Sequence, residues 1–405
     1  MFTKWAHYLN YISSFTIDIL KRRDLHSVFS DNLDPKRILN LLELATKKII
    51  PGKTLLFLDE IQACPRAIMA LRYFYEEIPD LHVVVAGSLL EFAFAEISIP
   101  VGRLHYLHIH PMTFYEYLIA LGKEPMAEQI RKMPSAISQS AHEQILGELK
   151  NYFFTGGMPE CVKTWRDTSS LRTVAEVQTE IIDSYRDDFA KYTPQTNPRC
   201  LDAVLLSVAK SVGEQLKYTR LNETHTGPNN RKAFDLLAKA RIIHKISACN
   251  PSGLPLGATA NPKKFKAAFL DIGLMQRLCQ VPIDMEIQQK DLLAIYRGKL
   301  AEQFIAQEIL AAGSDGIFYW SRESRASNAE VDYLVVRNGR IYPVEVKSGA
   351  AGALRSLHLM LQTYPESPAG IVLSSRCYSH LPEQKLIFLP LYSASILNGG
   401  DIPGL

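Results

Sequence analysis

The chain has 405 residues, 47% of them hydrophobic, and a formal net charge of +3. That length suggests two or three domains with real cores, and so small a charge neither favours nor excludes a nucleic-acid partner; any basic surface has to be local. Six scattered cysteines with no CxxC pair argue against zinc ribbons. The absence of a cleavage signal or an ~18-residue apolar run points to a soluble cytoplasmic protein with no membrane partner.

Early in the chain, PGKTLLFLDEIQ spells the tail of a phosphate loop directly against an apolar run that ends in acid. A phosphate loop needs G-x-x-x-x-G-K-[ST]. Counting back from Gly52, the first glycine belongs at position 47, which is Lys47. The loop also has to follow a strand and open a helix so that its N–H groups converge on phosphate. Here Ile38 to Lys48 has helical spacing and a strand follows, so Gly52-Lys53-Thr54 reads as a helix-to-strand turn. Leu55 to Leu58 is a buried strand. Its terminal Asp59 and Glu60 suit magnesium–nucleotide chemistry, Asp59 holding the ion and Glu60 polarising the attacking water. The bland alternative is a strand ending in solvated charge.

A helix over Arg66–Glu77 leads to a second buried parallel strand from His82, ending in Gly87-Ser88, with Ser88 placed to sense a γ-phosphate. Arg103 is a candidate charge-stabilising arginine, and Leu104–His110 reads as a third strand. Residues 126–190 are helical, broken at Thr155-Gly156-Gly157-Met158-Pro159, and a linker follows near Pro194 and Pro198. Helices over Leu201–Val212 and Arg231–Ala240 precede strands near Ile242–Ile246 and Ala267–Leu270, a winged-helix order. Arg231, Lys232, Lys239 and Arg241 flank the second helix, where they suit either DNA or solvent. A further helix covers Leu292–Leu310.

The stretches LLFLDEIQACPRAIMALRYFYEE, HVVVAGSLLEFA, PVGRLHYLHIHPMTFYEYL and YFFTGGMPECV resemble the prokaryotic AAA-type (STAND-like) P-loop ATPases that carry a C-terminal domain of unknown function. The resemblance covers almost the whole chain. It implies a Walker B strand ending at Asp59-Glu60, sensor Ser88, arginine Arg103, a winged helix and a restriction-endonuclease-like C-terminal fold. Members begin with a strand, a glycine-rich GKT loop and a helix, before a strand that His7–Tyr11 resembles. Met1 begins after those elements, so the chain is read as N-terminally truncated, with ATP a cofactor by resemblance only.

The strongest chemistry lies in AEVDYLVVRNGRIYPVEVKSG, residues 329–349. Asn338-Gly339 signals a two-residue hairpin turn, which sets Arg337 opposite Arg340 and, further down, Tyr333 opposite Val344. Continued, that register puts Asp332 across from Glu345 and Glu330 across from Lys347. Facing carboxylates repel, and an intervening cation explains them. Asp332 and Glu345 are therefore candidate ligands for Mg2+ or Mn2+, with Lys347 orienting water or stabilising charge. The D…E-x-K pattern resembles the PD-(D/E)xK nuclease core, and Glu302 in RGKLAEQFIAQEI matches that core's helical acid. The alternative is a solvated hairpin face with a Glu330–Lys347 ion pair. Pro343 in mid-strand is tolerable only away from a ladder bond.

The reading is therefore α/β: a partial P-loop NTPase parallel sheet (1–125), a helical lid and linker (126–195), a winged helix (196–284) and a restriction-endonuclease-like α/β domain (285–405). The function expected is an AAA-type ATPase relative with a metal-dependent nuclease-like domain acting on nucleic acid, DNA rather than RNA, with homo-oligomerisation left open. The alternatives are an ATP-dependent switch or scaffold whose C-terminal domain only binds partners, and an inactive remnant. Without a phosphate loop this chain should not turn over ATP and should bind it weakly. Calorimetric titration and phosphate release test this; micromolar, magnesium-dependent binding would overturn it.

Overall fold

The computed structural model describes residues 13–87, 90, 102–132, 134–192, 196–281, 298–313, 316–323, 328–347 and 354–405. The chain divides into two compact units, 1–108 and 109–405. The expected first strand at His7–Tyr11, Ser88 and residues 193–195 of the linker lie outside the described residues.

In the first unit, β1 (Ser13–Asp18), β2 (Thr54–Asp59) and β3 (His82–Val85) form a parallel sheet in the order β1-β2-β3. Helices α1 (Pro35–Ala45) and α2 (Pro65–Glu77) provide the crossovers. Asp34 caps α1, its carboxylate accepting from the N–H of Lys36 and Arg37 at 2.8 and 3.0 Å, and Pro35 follows at the first helical position. Leu55 to Leu58 are all buried, as a central strand covered on both faces requires. Gly52 sits in a turn at φ +76° before β2, its N–H donating to the Asp80 carbonyl at 2.7 Å.

Two expectations for this unit need correction. Among the described residues β3 is an edge strand and only half covered, with Val84 exposed. Leu104–His110 is not a strand; Leu107 and Ile109 are exposed, so no layer rewards pairing there.

The second unit opens with six helices: α3 (Phe114–Ala120), α4 (Glu124–Lys132), α5 (Gln139–Thr155), α6 (Pro159–Thr168), α7 (Leu171–Tyr192) and α8 (Pro198–Lys210). Phe114, Tyr117 and Leu118 belong to this unit's core, so the boundary expected at 125 falls earlier, before α3. The break at Gly156-Gly157 has a steric cause. A Cβ on Gly156 would lie 2.2 Å from Asp271 Oδ1, and one on Gly157 would lie 2.1 Å from the Met112 carbonyl oxygen. The buried Asp271 carboxylate accepts from Gly157 N–H at 2.6 Å and Leu274 N–H at 2.9 Å.

Next come α9 (Tyr218–Leu221), α10 (Gly227–Lys239), β4 (Ile243–Ala248), β5 (Asn261–Phe269) and α11 (Ile272–Leu278). Helix α12 (Lys299–Ala311), strands β6 (Ile317–Glu323), β7 (Asn328–Arg337) and β8 (Arg340–Val346), and helix α13 (Arg355–Thr363) follow. The chain then runs through β9 (Gly370–Ser374), β10 (Ser379–Leu381) and β11 (Leu386–Pro390). All eight strands form one sheet, ordered β10-β11-β9-β8-β7-β6-β4-β5. The helix–helix–hairpin order expected for 196–284 is present, but its two strands are not a free-standing wing. β4 pairs in parallel with β6, Ile246 opposite Ile317. The boundary expected near 285 therefore does not interrupt the sheet.

Helix α12 runs through the middle of this unit and uses polar side chains to close backbone ends. Gln303 accepts from Phe269 N–H and donates to the Phe269 carbonyl, at 2.8 and 2.7 Å. Gln307 accepts from Ile272 N–H at 3.0 Å and donates to the Tyr152 hydroxyl at 2.8 Å. Glu308 accepts from Phe114 N–H at 2.8 Å, satisfying an otherwise orphaned donor at the start of α3. Burial pushes the Glu308 carboxyl up to about 8.

Raised above its ordinary value of 4.5, Glu308 gives stability that is full below that value and is lost as pH rises towards about 8. Glu308→Gln keeps the acceptor and removes the titration. The variant should lose less stability between pH 5 and pH 8, by ~1 kcal/mol or more, in urea midpoints measured across that range. Parallel pH profiles for variant and parent would refute the assignment.

Candidate functional site

The hairpin forms as its turn dictates. Asn338 and Gly339 both take positive φ, +47° and +71°, which the type I′ turn requires. Pairing runs from Arg337–Arg340 through Val336–Ile341, Val335–Tyr342 and Leu334–Pro343 to Tyr333–Val344, where the ladder ends. Pro343 stands opposite Leu334, and β8 pairs with β9 only from Val344 onward, so its missing N–H costs no ladder bond.

Asp332 and Glu345 lie just beyond the last pair. Instead of facing a carboxylate across a ladder, Asp332 Oδ2 accepts from Val346 N–H at 2.8 Å. Glu345 is buried, and its Oε1 is 2.5 Å from Lys347 Nζ, so the alternation that puts these two on one face holds. The Glu330–Lys347 pairing does not form; β7 is instead paired with β6 at that point, Glu330 opposite Ser321.

The partner of Glu330 is a residue that sequence reasoning overlooked. Lys266 of β5, only 1% exposed, makes an ion pair with Glu330 and lies 3.6 Å from Glu302 Oε2 and 3.8 Å from Asp332 Oδ1. Its ammonium also sits 5.2 Å from the centre of the Tyr319 ring, a cation–π distance. Burial works against the charge, yet Glu302, Asp332 and Glu330 together hold the ammonium above the ordinary lysine value. The signal was present in PKKFKAAF: a lysine between Phe265 and Ala267-Ala268-Phe269, where a buried strand has no room for an unpaired charge.

Glu302 enters from the first turn of α12. Gly213 walls it closely; a Cβ there would be 2.8 Å from Glu302 Oε2. Burial first, then the Asp332 charge, raise the Glu302 carboxyl, against the pull of Lys266. Burial and Asp332 raise Glu345 in the same way, against Lys347. Glu302 Oε2 and Glu345 Oε2 are buried without a hydrogen-bond partner among the described residues. The cluster thus gathers Glu302, Glu330, Asp332 and Glu345 with Lys266 and Lys347, from α12, β5, β7 and β8 and the end of β8.

In the first unit, Asp59 and Glu60 stand at the carboxyl edge of the parallel sheet, where open α/β sheets take ligands. Asp18, at the end of β1, pairs with Asp59 in register, and Lys21 forms an ion pair with Asp18 at 2.9 Å. Glu60 adopts a left-handed conformation at φ +52°, and its Oε2 accepts from Gln62 Nε2 at 2.7 Å. Arg103 is not brought to this edge. It pairs with Glu76 at 2.9 Å, near the far end of α2, roughly 16 Å of helix rise from its start. Along α10, Arg231 pairs with Asp235 at 3.6 Å, both side chains exposed.

Comparison with known proteins divides the chain in three. Residues 9–118 match a family model described as "AAA domain", residues 146–284 "Domain of unknown function (DUF8612)" and residues 297–392 "Domain of unknown function (DUF4143)". The first match supports a P-loop ATPase class, for which nucleotide and Mg2+ use is general. Among solved structures, the chain is similar to "The walker-type atpase paby2304 of pyrococcus abyssi" at 14% identity and TM-score 0.39, covering 69% of this chain and 75% of that one. It is also similar to Can2 from Sulfobacillus thermosulfidooxidans in complex with cyclic tetra-adenylate, at 10% identity and TM-score 0.19, covering 92% and 97%. Both likenesses are remote. No curated protein matches. No helix among the described residues is long and apolar enough to cross a membrane.

The pairing of Lys266 makes a direct prediction. Lys266→Met leaves Glu302, Glu330 and Asp332 around an uncharged group, with an expected loss of ~3–5 kcal/mol at pH 8. The loss should shrink at pH 5, where Glu302, its carboxyl raised chiefly by burial, takes up a proton. Denaturant midpoints at the two pH values test it; an equal loss at both would mean that Lys266 does not neutralise these acids.

Proposed function

We propose that this chain is an AAA-type ATPase relative whose second unit contains a restriction-endonuclease-like, PD-(D/E)xK-type site that hydrolyses phosphodiester bonds in nucleic acid, DNA in preference to RNA. The observation that carries this reading is the convergence of four carboxylates and two lysines from separate elements on the end of one hairpin. The donor set fits a hard cation. Asp332 and Glu345 offer only oxygen, and the unpartnered Oε2 of Glu345 keeps acceptor capacity. Among the described residues no cluster of three or more acid, thiol or imidazole ligands suits a metal. The protein would supply two carboxylates and leave the remaining positions to water, as Mg2+ accepts. When bound, such an ion polarises phosphate and lowers the pKa of a water.

The chain's own residues divide the remaining work. Lys347, held by Glu345, orients the water or meets charge developing on phosphate. Glu302 limits the space on the helix side. Lys266 neutralises acids that would otherwise repel an incoming phosphate. In the first unit, Asp59 and Glu60 are the residues for magnesium and water in nucleotide chemistry, and Arg103, held by Glu76, takes no part there.

One observation favours a second reading. The Lys266 ammonium already sits among the acids a divalent ion would use, so the domain could bind nucleic acid without cutting it. The experiment separates the two. Mixed DNA and RNA substrates are incubated with the purified protein and Mg2+ or Mn2+. Cleavage is expected, falling ~10²-fold or more in Asp332→Asn and in Glu345→Gln. Cleavage that persists in Asp332→Asn rejects the site; binding without cleavage in the parent supports the second reading.

A further inference from the structure

Next to the acidic cluster lies a cleft of about 540 Å³ that the proposed chemistry does not use. Its volume is in the range of small-molecule sites. Its walls come from the end of β4, from β5, from β6 and from the residues closing α13. Lys264 and Arg322 are both in the lining, and none of the described lining residues is acidic. The charge of the described lining therefore favours an anion.

Three further features restrict the ligand. Ser321 lines the cleft, and its Oγ is buried with no hydrogen-bond partner among the described residues; buried hydroxyls are rarely left so. Tyr364 donates its hydroxyl to Asn250 Oδ1 at 2.7 Å, which directs the Asn250 amide nitrogen to serve as donor. Trp320 and Tyr364 meet edge to face at 6.3 Å. Trp320 is buried and acts as a wall, whereas Tyr364 is half-buried and gives the cleft an aromatic surface. Two cations, a fixed amide, an unmet hydroxyl and an aromatic ring are the groups that recognise phosphate and base together.

The position is equally specific. Ser321 is the ladder partner of Glu330, and Lys264 lies two residues before Lys266 on β5, about 7 Å along a strand. We infer that this cleft is a nucleotide subsite, taking one phosphate and its base from a single strand and setting the next phosphodiester towards the acidic cluster. The inference adds a specificity element to the proposed nuclease site, yet its test does not need cleavage.

Binding is measured on the full-length protein in EDTA, by anisotropy of a fluorescein-labelled single-stranded DNA octamer, with AMP and a duplex of the same sequence as competitors. The octamer should bind, and Arg322→Ala and Tyr364→Ala should each weaken it roughly tenfold. Ser321→Ala should weaken it less, without loss of stability, since it breaks no existing bond. Competition by AMP would identify a free nucleotide as sufficient; competition by single strand alone would require a strand. Octamer affinity unchanged in Arg322→Ala with Tyr364→Ala, in protein whose circular dichroism matches the parent, overturns the inference, and so does a parent that binds neither probe. Failure of the nuclease reading registers separately, as absent cleavage with divalent metal while octamer binding persists.

Discussion

The second unit is organised around one buried positive charge. Stripping water from an ammonium costs several kcal/mol, and only close partners offset that cost. Lys266 finds them in Glu302, Glu330 and Asp332. Those partners come from α12 and β7, whereas the lysine comes from β5 at the far edge of the sheet. The ion cluster therefore can form only if the edge strand curls back over β4 and β6. Twist and coiling of that kind are ordinary in large sheets, but here a charge depends on them. Segments that match two separate families are in this way held to one site.

Helix α12 answers the same constraint from the other side. It is buried around almost its whole circumference, yet carries Gln303, Gln307 and Glu308. None of these is a packing residue by choice; each closes a backbone group that the surrounding elements cannot pair. Gln303 imitates a neighbouring strand at the end of β5, Gln307 caps the approach to α11, and Glu308 caps α3. Phe304, between them, packs against Phe114, Tyr152 and Phe153. With its polar ends tied this way the helix cannot slide, and Glu302 is delivered to the acids at a fixed height.

What could be read beforehand was local. The Asn338-Gly339 turn set five ladder pairs correctly because a two-residue loop leaves no freedom of register. Leu55–Leu58 declared a buried strand, and Gly156-Gly157 declared a break between helices. The failures were long-range. The β4–β6 pairing spans some seventy residues of sequence and leaves no periodic trace, so a hairpin that joins a larger sheet looked like an independent wing. Lys266 failed for the same reason: α11 separates it in sequence from Glu302, and α11, α12 and β6 separate it from Glu330 and Asp332. Leu104–His110 had the composition of a strand but no ladder partner among the described residues, and composition alone does not make a strand. Ladder arithmetic also ran three positions too far, since it assumed that β7 and β8 stay paired down to Glu330, whereas the ladder ends at Tyr333–Val344.

The two acidic groupings differ in a way that governs how each can treat a cation. In the first unit, Asp18, Asp59 and Glu60 are partly open to water at the carboxyl edge of a parallel sheet, so solvent screens their mutual repulsion and an arriving ion displaces only water. In the second unit burial strengthens every charge interaction. There the acids are already part-neutralised by a tethered ammonium, so a divalent ion gains less than it would from the same acids left bare. Yet the tether does not reach all of them equally. Lys266 makes its closest contact with Glu330, the acid furthest from the hairpin end, while Glu345 is held by Lys347 and keeps one oxygen unpartnered. The arrangement thus concentrates neutralisation at Glu330 and leaves unmet acceptor capacity on Glu345, as on Glu302. A cation that binds at Glu345 need not expel the lysine, and the ammonium becomes a fixed second positive charge beside it.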